Sequence, residues 1–251
     1  MTAPQTMTPL RRWNIAVGNF FFTYRNAVFP ATFALVVLVL RPRVIGTPAL
    51  DRRLVLCGVA VALAGEAVRL ATIGFEYIER GGKNKQVYAS RLVQGGVYGL
   101  TRNPMYVGNG LIAIGLTMAA GSPAIYAVVL PFFLFIYQAI ISAEEAYLRR
   151  RFGEDYDRYC ARVNRFLPSF REASRAFAGM RYDWKSAVRK ELSTLAGLFI
   201  GLRLLPVWRL YWLEGWAAAK AAAPSALAAV LGILTGFGFL VYLKKLRRVF
   251  Y

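Results

Sequence analysis

The sequence predicts an all-α, polytopic membrane protein with about six spans, and three observations carry that prediction. Of 251 residues, 57% are apolar and only 18% are charged, an apolar share above that of a soluble domain. The charges are clustered, leaving charge-poor runs at 27–40, 54–75, 105–121, 123–143, 192–213 and 221–243. The excess of 32 Lys and Arg over 13 Asp and Glu, a net +19, falls mainly between those runs, as expected where loops face anionic lipid. Nucleic-acid binding is a weaker account of the charge, because no recognisable binding module accompanies it.

A span needs about 20 mostly apolar residues. The run 27–40 is short unless its helix begins near Asn19 and absorbs Arg25. Before it, Arg11-Arg12 leads into Phe20-Phe21-Phe22 and Tyr24-Arg25. That order reads as an interfacial helix entering the first span rather than as a cleavable signal. The run 54–75 includes Glu66 and Arg69, and 192–213 includes Arg203 and Arg209. Ionisable groups at membrane depth are costly, so these are expected to face the interior or an interface. The runs 105–121 and 123–143 form a hairpin around Gly121-Ser122-Pro123, and Pro131 is a point where the second helix could bend. The run 221–243 carries no charge.

Orientation follows from the loop cations. Segment 76–105 holds Arg80, Lys83, Lys85, Arg91 and Arg102; segment 144–191 holds twelve basic residues; the tail has Lys244, Lys245, Arg247 and Arg248. The 119–123 turn has none. Segments 76–105 and 144–191 are therefore expected on the cytoplasmic face, of the inner membrane if the protein is bacterial. Loop 41–53, with Arg41, Arg43, Arg52 and Arg53, disagrees. Either the first run does not fully cross, or this loop breaks the rule.

Histidine is absent, which excludes His-based catalysis and His-ligated metals, and Cys57 and Cys160 match no metal or redox spacing. No metal site is expected. Chemistry concentrates in two segments, 90–108 and 144–168. In the first, Gly95-Gly96 and Gly99 permit tight turns and close backbone approach to a ligand. Asn103 is a candidate N-cap ahead of Pro104. In the second, Glu144-Glu145 lies where a span leaves the membrane, followed by a mixed-charge helix with i,i+4 pairs such as Glu145 with Arg149 and Glu154 with Arg158. The hairpin returns Glu144 to the level of Arg102 and Tyr106, because both helices rise about 1.5 Å per residue. Glycine loop and carboxylates thus meet at one interface, within reach of both water and lipid.

The run Leu92-Val93, Gly96-Val97-Tyr98 and Arg102-Asn103-Pro104-Met105-Tyr106-Val107-Gly108 resembles the integral-membrane methyltransferases. That family includes isoprenylcysteine carboxyl methyltransferase and phospholipid N-methyltransferases. Glu144-Glu145, Leu148, Phe152-Gly153, Tyr156, Tyr159, Val163, Arg165 and Pro168 extend the likeness, which spans roughly 65–170. The resemblance implies S-adenosylmethionine as methyl donor and a lipid-borne or hydrophobic acceptor. It implies cofactor contacts from Arg91, Leu92, Val93, Tyr98, Asn103, Pro104, Met105, Tyr106, Glu144 and Glu145. Arg102 and Arg165 are candidates for orienting the acceptor. Asn103 stands where the carboxyl-methylating branch has His. Ile140 stands where that branch has an acceptor-binding Arg, so the chain is more similar to the phospholipid branch.

Membrane sterol reductases, which use NADPH, share the pattern Tyr156, Tyr159-Cys160, Val163, Arg165 and Pro168. Glu144-Glu145 and the short chain favour methyl transfer. On this reading 1–173 is the methyltransferase core and 174–251 a two-helix membrane extension. The extension contains Gly197-x-x-x-Gly201 and Gly232-x-x-x-Gly236, spacings that suit close helix packing, within the chain or across a homodimer. A non-catalytic scaffold is the third reading.

Overall fold

The computed structural model describes residues 8–76 and 86–245. Arg80, Lys83, Lys85, Arg247 and Arg248 lie outside the described residues. Six long helices account for the six apolar runs. They are α1 (Pro9–Val39), α2 (Pro48–Phe75), α3 (Pro104–Ala120), α4 (Leu130–Phe152), α7 (Trp184–Glu214) and α8 (Trp216–Lys245). Two short helices, α5 (Glu154–Arg162) and α6 (Ala173–Ala176), lie between α4 and α7. Pro48–Phe75, Ile125–Phe152, Trp184–Glu214 and Trp216–Leu243 are long and apolar enough to cross a membrane, and Pro104–Ala120 is a shorter apolar helix.

Helix starts follow local chemistry. Thr8 and Thr47 cap α1 and α2, accepting from the amides of Arg11 (3.4 Å) and Leu50 (3.2 Å), with a proline in the first turn of each. Asp183 caps α7 through the amide of Ser186 at 2.9 Å. A π-helical turn, Ile125–Val129, leads into α4. It lies just ahead of Pro131, whose ring cannot bond to, and would crowd, the carbonyl of Ala127 in a regular helix.

The helices pair antiparallel. In α2 and α3, glycines seven residues apart meet face to face. A methyl on Gly58 would lie 2.6 Å from the Gly115 carbonyl oxygen, and one on Gly65 2.6 Å from that of Gly108. Backbones at this distance gain dispersion contacts that larger side chains would prevent. In α1 and α4, Asn14 donates to Ser142 at 3.1 Å, Phe22 packs on Ile136 and Ile140, and Phe29 meets Phe133. Val36 and Leu40 reach Ile125 and Val129. The helix therefore starts upstream of Asn19, includes Arg25 and runs the length of α4.

The same pairing fixes the end of the bundle at which loop 41–53 lies. The amide of Arg43 donates to the Gly121 carbonyl at 2.7 Å, so the loop lies at the Gly121 end, opposite Glu144. Its cations thus stand at the opposite end from those of segment 144–162, and its neighbours help accommodate them. Arg41 stacks 4.5 Å from the Trp212 ring centroid, and Asp51 pairs with Arg209.

The extension is docked on the core through buried charge. Arg69 of α2 donates to Glu191 of α7 at 2.6 and 3.2 Å, and Glu191 is fully buried. Thr194 and Asn109 complete this cluster. Arg209 donates to the carbonyls of Ala119 and Ala120 at 3.2 and 2.9 Å. Glu66, Arg69 and Arg209 thus face the interior as expected, whereas Arg203 is exposed. Among the described residues nothing lies near the methyl positions of Gly197, Gly201, Gly232 or Gly236. Among the described residues, those small-residue spacings pack against nothing.

Candidate active site

The glycine loop turns tightly, with a 3-10 turn at Gly96–Gly99 and Gly96 at φ 56°. Within the chain, its close approaches are to segment 172–182. A methyl on Gly99 would meet the Ala176 side chain at 2.5 Å, and one on Gly95 the Met180 methyl at 2.3 Å. The bare glycines make room for segment 172–182 to lie over the loop.

Segment 163–169 is sewn to the same loop. Arg102 N donates to Asn164 O at 2.9 Å, and Ser169 N to Leu100 O at 2.9 Å. Thr101 Oγ1 donates to the carbonyls of Arg165 and Phe166. Asn103 does not cap α3. Its side-chain amide donates instead to Arg165 O at 3.1 Å, so this side chain ties the strap rather than the helix end. Tyr159 of α5 donates to Tyr98 O at 2.8 Å. Burial pushes the Tyr156 and Tyr159 hydroxyls well above their usual range, so both stay neutral at physiological pH.

These contacts wall a cavity. The loop supplies Val87 to Val93 and Tyr98; the start of α3 supplies Arg102, Asn103, Met105 and Tyr106; α4 supplies Glu144, Glu145 and Leu148; α5 supplies Tyr156 and Tyr159. Of the residues that the resemblance marks for cofactor contact, all but Pro104 line it. Arg165 does not. Phe22 of α1 is a wall residue that sequence reasoning missed. It belongs to no motif, and the sole hint was the aromatic cluster Phe20-Phe21-Phe22.

The two carboxylates have different surroundings. Glu144 accepts from the Tyr106 hydroxyl at 2.7 Å. Glu145 is gripped by Arg165, with Nε at 2.9 Å from one oxygen and Nη2 at 2.8 Å from the other, and Arg102 lies 3.9 Å away. Arg165 also reaches Ser142, and Arg102 touches the Cys160 sulfur. Arg91 at the rim pairs with Glu76. Glu145 is thus committed to holding the strap on α4. Glu144 is the acid presented with an aromatic partner and able to receive a cation or hydroxyl groups.

The phospholipid methyltransferase family model matches residues 54–155, which run from α2 through the glycine loop, α3 and α4 into α5. An uncharacterized protein of Haemophilus influenzae is 38% identical over 63 residues, which make up all of that protein and 25% of this chain. No solved structure matches. With the matched segment carrying most of α2, all of α3 and α4 and both carboxylates of the cavity, the chain carries a phospholipid methyltransferase domain over residues 54–155, which supports a membrane methyltransferase.

Proposed function

We propose that the protein transfers a methyl group from S-adenosylmethionine to a lipid-borne acceptor. The observation that carries this reading is Glu144, held by Tyr106 at 2.7 Å in a cavity bounded by α1 and α4 on one side and the glycine loop on the other. The side chains present fit such a donor. A carboxylate and aromatic faces suit a sulfonium, an ammonium and ribose hydroxyls. When bound, the donor supplies an electrophilic methyl on sulfur.

Glu144 and Tyr106 would hold the donor's polar parts, and the backbone of Arg91, Leu92 and Val93 would line it. Arg165 acts one step back, fixing Glu145 and through it the α4 wall, whereas Arg102 lines the cavity and is the candidate for orienting the acceptor. Tyr159 fixes Tyr98. Direct displacement needs no covalent nucleophile, so positioning donor against acceptor supplies most of the catalysis. The cations of segment 144–191 support a cytoplasmic site. The family match favours methyl transfer over an NADPH-dependent reductase.

Calorimetric titration of the detergent-purified chain with S-adenosylhomocysteine, and with NADPH in parallel, tests the reading. Micromolar binding of S-adenosylhomocysteine is expected, weakened in Glu144→Gln. Binding of NADPH alone would transfer the case to a reductase, and binding of neither to a scaffold.

A further inference from the structure

The strap that closes the site has a second face. Its backbone is fixed to residues 100–103 through Asn164, Arg165, Phe166 and Ser169. None of residues 164–171 lines the cavity. The tip nevertheless carries bare apolar side chains: Leu167 is 77% exposed, Phe170 69% and Phe166 37%. Pro168 between them and Arg171 after them are exposed as well. Single exposed apolar residues are ordinary. Three within five residues, on a segment held this firmly, form a patch that calls for a partner.

The anchors of the tip fix its height in the membrane. Residues 100–103 run directly into Pro104, the first residue of α3. That apolar helix has 17 residues, too few to lift its first turn clear of a hydrocarbon layer about 30 Å thick. Arg165 reaches Ser142 of α4 at 3.2 Å, and Ser142 also accepts from Asn14 of α1 at 3.1 Å. Trp13, beside Asn14, is exposed. On the α2 side of the same end, Asp183 N donates to Gly74 O at 2.8 Å, and its neighbours Tyr182 and Trp184 are exposed. Aromatic side chains at this height mark a membrane–water interface. The tip continues their belt. It also has the charge for that place: Arg165 lies 5.2 Å from the centroid of the Phe166 ring, and Arg171 borders Phe170. Apolar side chains flanked by cations suit the boundary between acyl chains and phosphates.

We infer that the strap tip, Phe166 to Phe170, inserts into the headgroup boundary of the leaflet on the Glu144 side, with Arg171 at the phosphate level. The partner is the bilayer surface, not a reacting lipid. Insertion gives the strap a third support beside loop 100–103 and Glu145, so the membrane itself helps to hold the cavity closed on that side. This goes beyond the methyl-transfer reading and does not depend on it.

The test is photolabelling of the full wild-type chain in nanodiscs of dioleoyl phosphatidylcholine, with and without dioleoyl phosphatidylglycerol. Each is doped with a phosphatidylcholine that carries a diazirine either near the ester or at the acyl terminus, and labelled peptides are mapped by mass spectrometry. The ester-proximal probe is expected to label 166–170. The terminal probe should spare the tip and label Leu231 and Leu234, which are exposed near the middle of α8. Leu167→Gln combined with Phe170→Gln should lower tip labelling about tenfold and leave α8 labelling unchanged. Arg171→Gln should lower tip labelling only where phosphatidylglycerol is present. The inference fails if 166–170 stays unlabelled while α8 is labelled, as it would be if water, a second copy or another protein covered the tip. It also fails if the terminal probe labels the tip as strongly as the ester-proximal one, or if the double substitution labels like wild type. An Arg171→Gln effect that is absent, or equal in both nanodiscs, overturns the part given to Arg171. S-adenosylhomocysteine binding measured on the same nanodiscs separates the two readings. Its absence sinks methyl transfer and leaves tip labelling to be judged on its own, whereas an unlabelled tip with donor binding intact sinks only this inference.

Discussion

The Tyr106 hydroxyl donates to Glu144 at 2.7 Å, joining the first turn of α3 to the far end of α4. A charge-assisted bond of this kind contributes about 1.5–3 kcal/mol. Glu144→Gln is expected to weaken S-adenosylhomocysteine binding about 10- to 100-fold, from the same range. Tyr106→Phe should weaken it less, because the acid remains. Calorimetry on the two variants checks the order, and equal losses would mean that Tyr106 touches the ligand directly.

Glu145 and Arg165 form a two-point pair at 2.9 and 2.8 Å, each side chain partly buried. Arg165→Gln and Glu145→Gln should each destabilise the chain, and the double variant should cost less than their sum. A coupling of about 1–3 kcal/mol is expected for contacting residues of one network. Thermal unfolding in detergent measures it, and strict additivity would show that the pair holds nothing.

The hairpin geometry and both motif segments were legible in the sequence, since helical rise alone returns Glu144 to Tyr106. The partners of particular side chains were not. Asn103 before Pro104 has the look of a cap, yet it bonds Arg165 O, 62 residues away. Gly95 and Gly99 read as turn glycines, but that they make room for Met180 and Ala176, about 80 residues later, could not be read. Phe22 lies just ahead of the short run 27–40, in a stretch that reads only as an interfacial lead-in to the first span. Periodicity reports which face of a helix is apolar, but not which distant strap or helix arrives to meet it.

The glycine seam offers a sharp contrast. Gly115→Ala would put a methyl 2.4 Å from both Ala62 N and Gly58 O, forcing α2 and α3 apart. Overpacking of this kind costs about 1–3 kcal/mol. Gly197→Ala, in open space on α7, should be neutral or slightly stabilising, since alanine is the better helix former. Melting temperatures of the two variants in one detergent test the difference.

Glu191 ties α7 to the core through Arg69 at 2.6 Å. Glu191→Gln should destabilise by about 3–5 kcal/mol, the usual cost of breaking a buried pair. A chain ending after residue 173 should lose donor binding along with stability. If that truncated chain bound S-adenosylhomocysteine normally, α7 would be dispensable to the site.

Helix α3 has 17 residues, about 26 Å at the ordinary helical rise, against a hydrocarbon layer of about 30 Å. A span that short leaves its last carbonyls short of water on one leaflet, where a bilayer must thin or a polar neighbour must intervene. Arg209, 89 residues later, brings its guanidinium to Ala119 and Ala120, with Asp51 balancing its charge. At the other end of α3, Asn103 and Arg102 are held by residues 164 and 165. The family-matched stretch therefore cannot finish its own shortest span. Hydrophobic mismatch would make the later part of the chain a requirement of α3, and a chain cut to residues 54–155 would have to borrow those polar groups from the membrane surface.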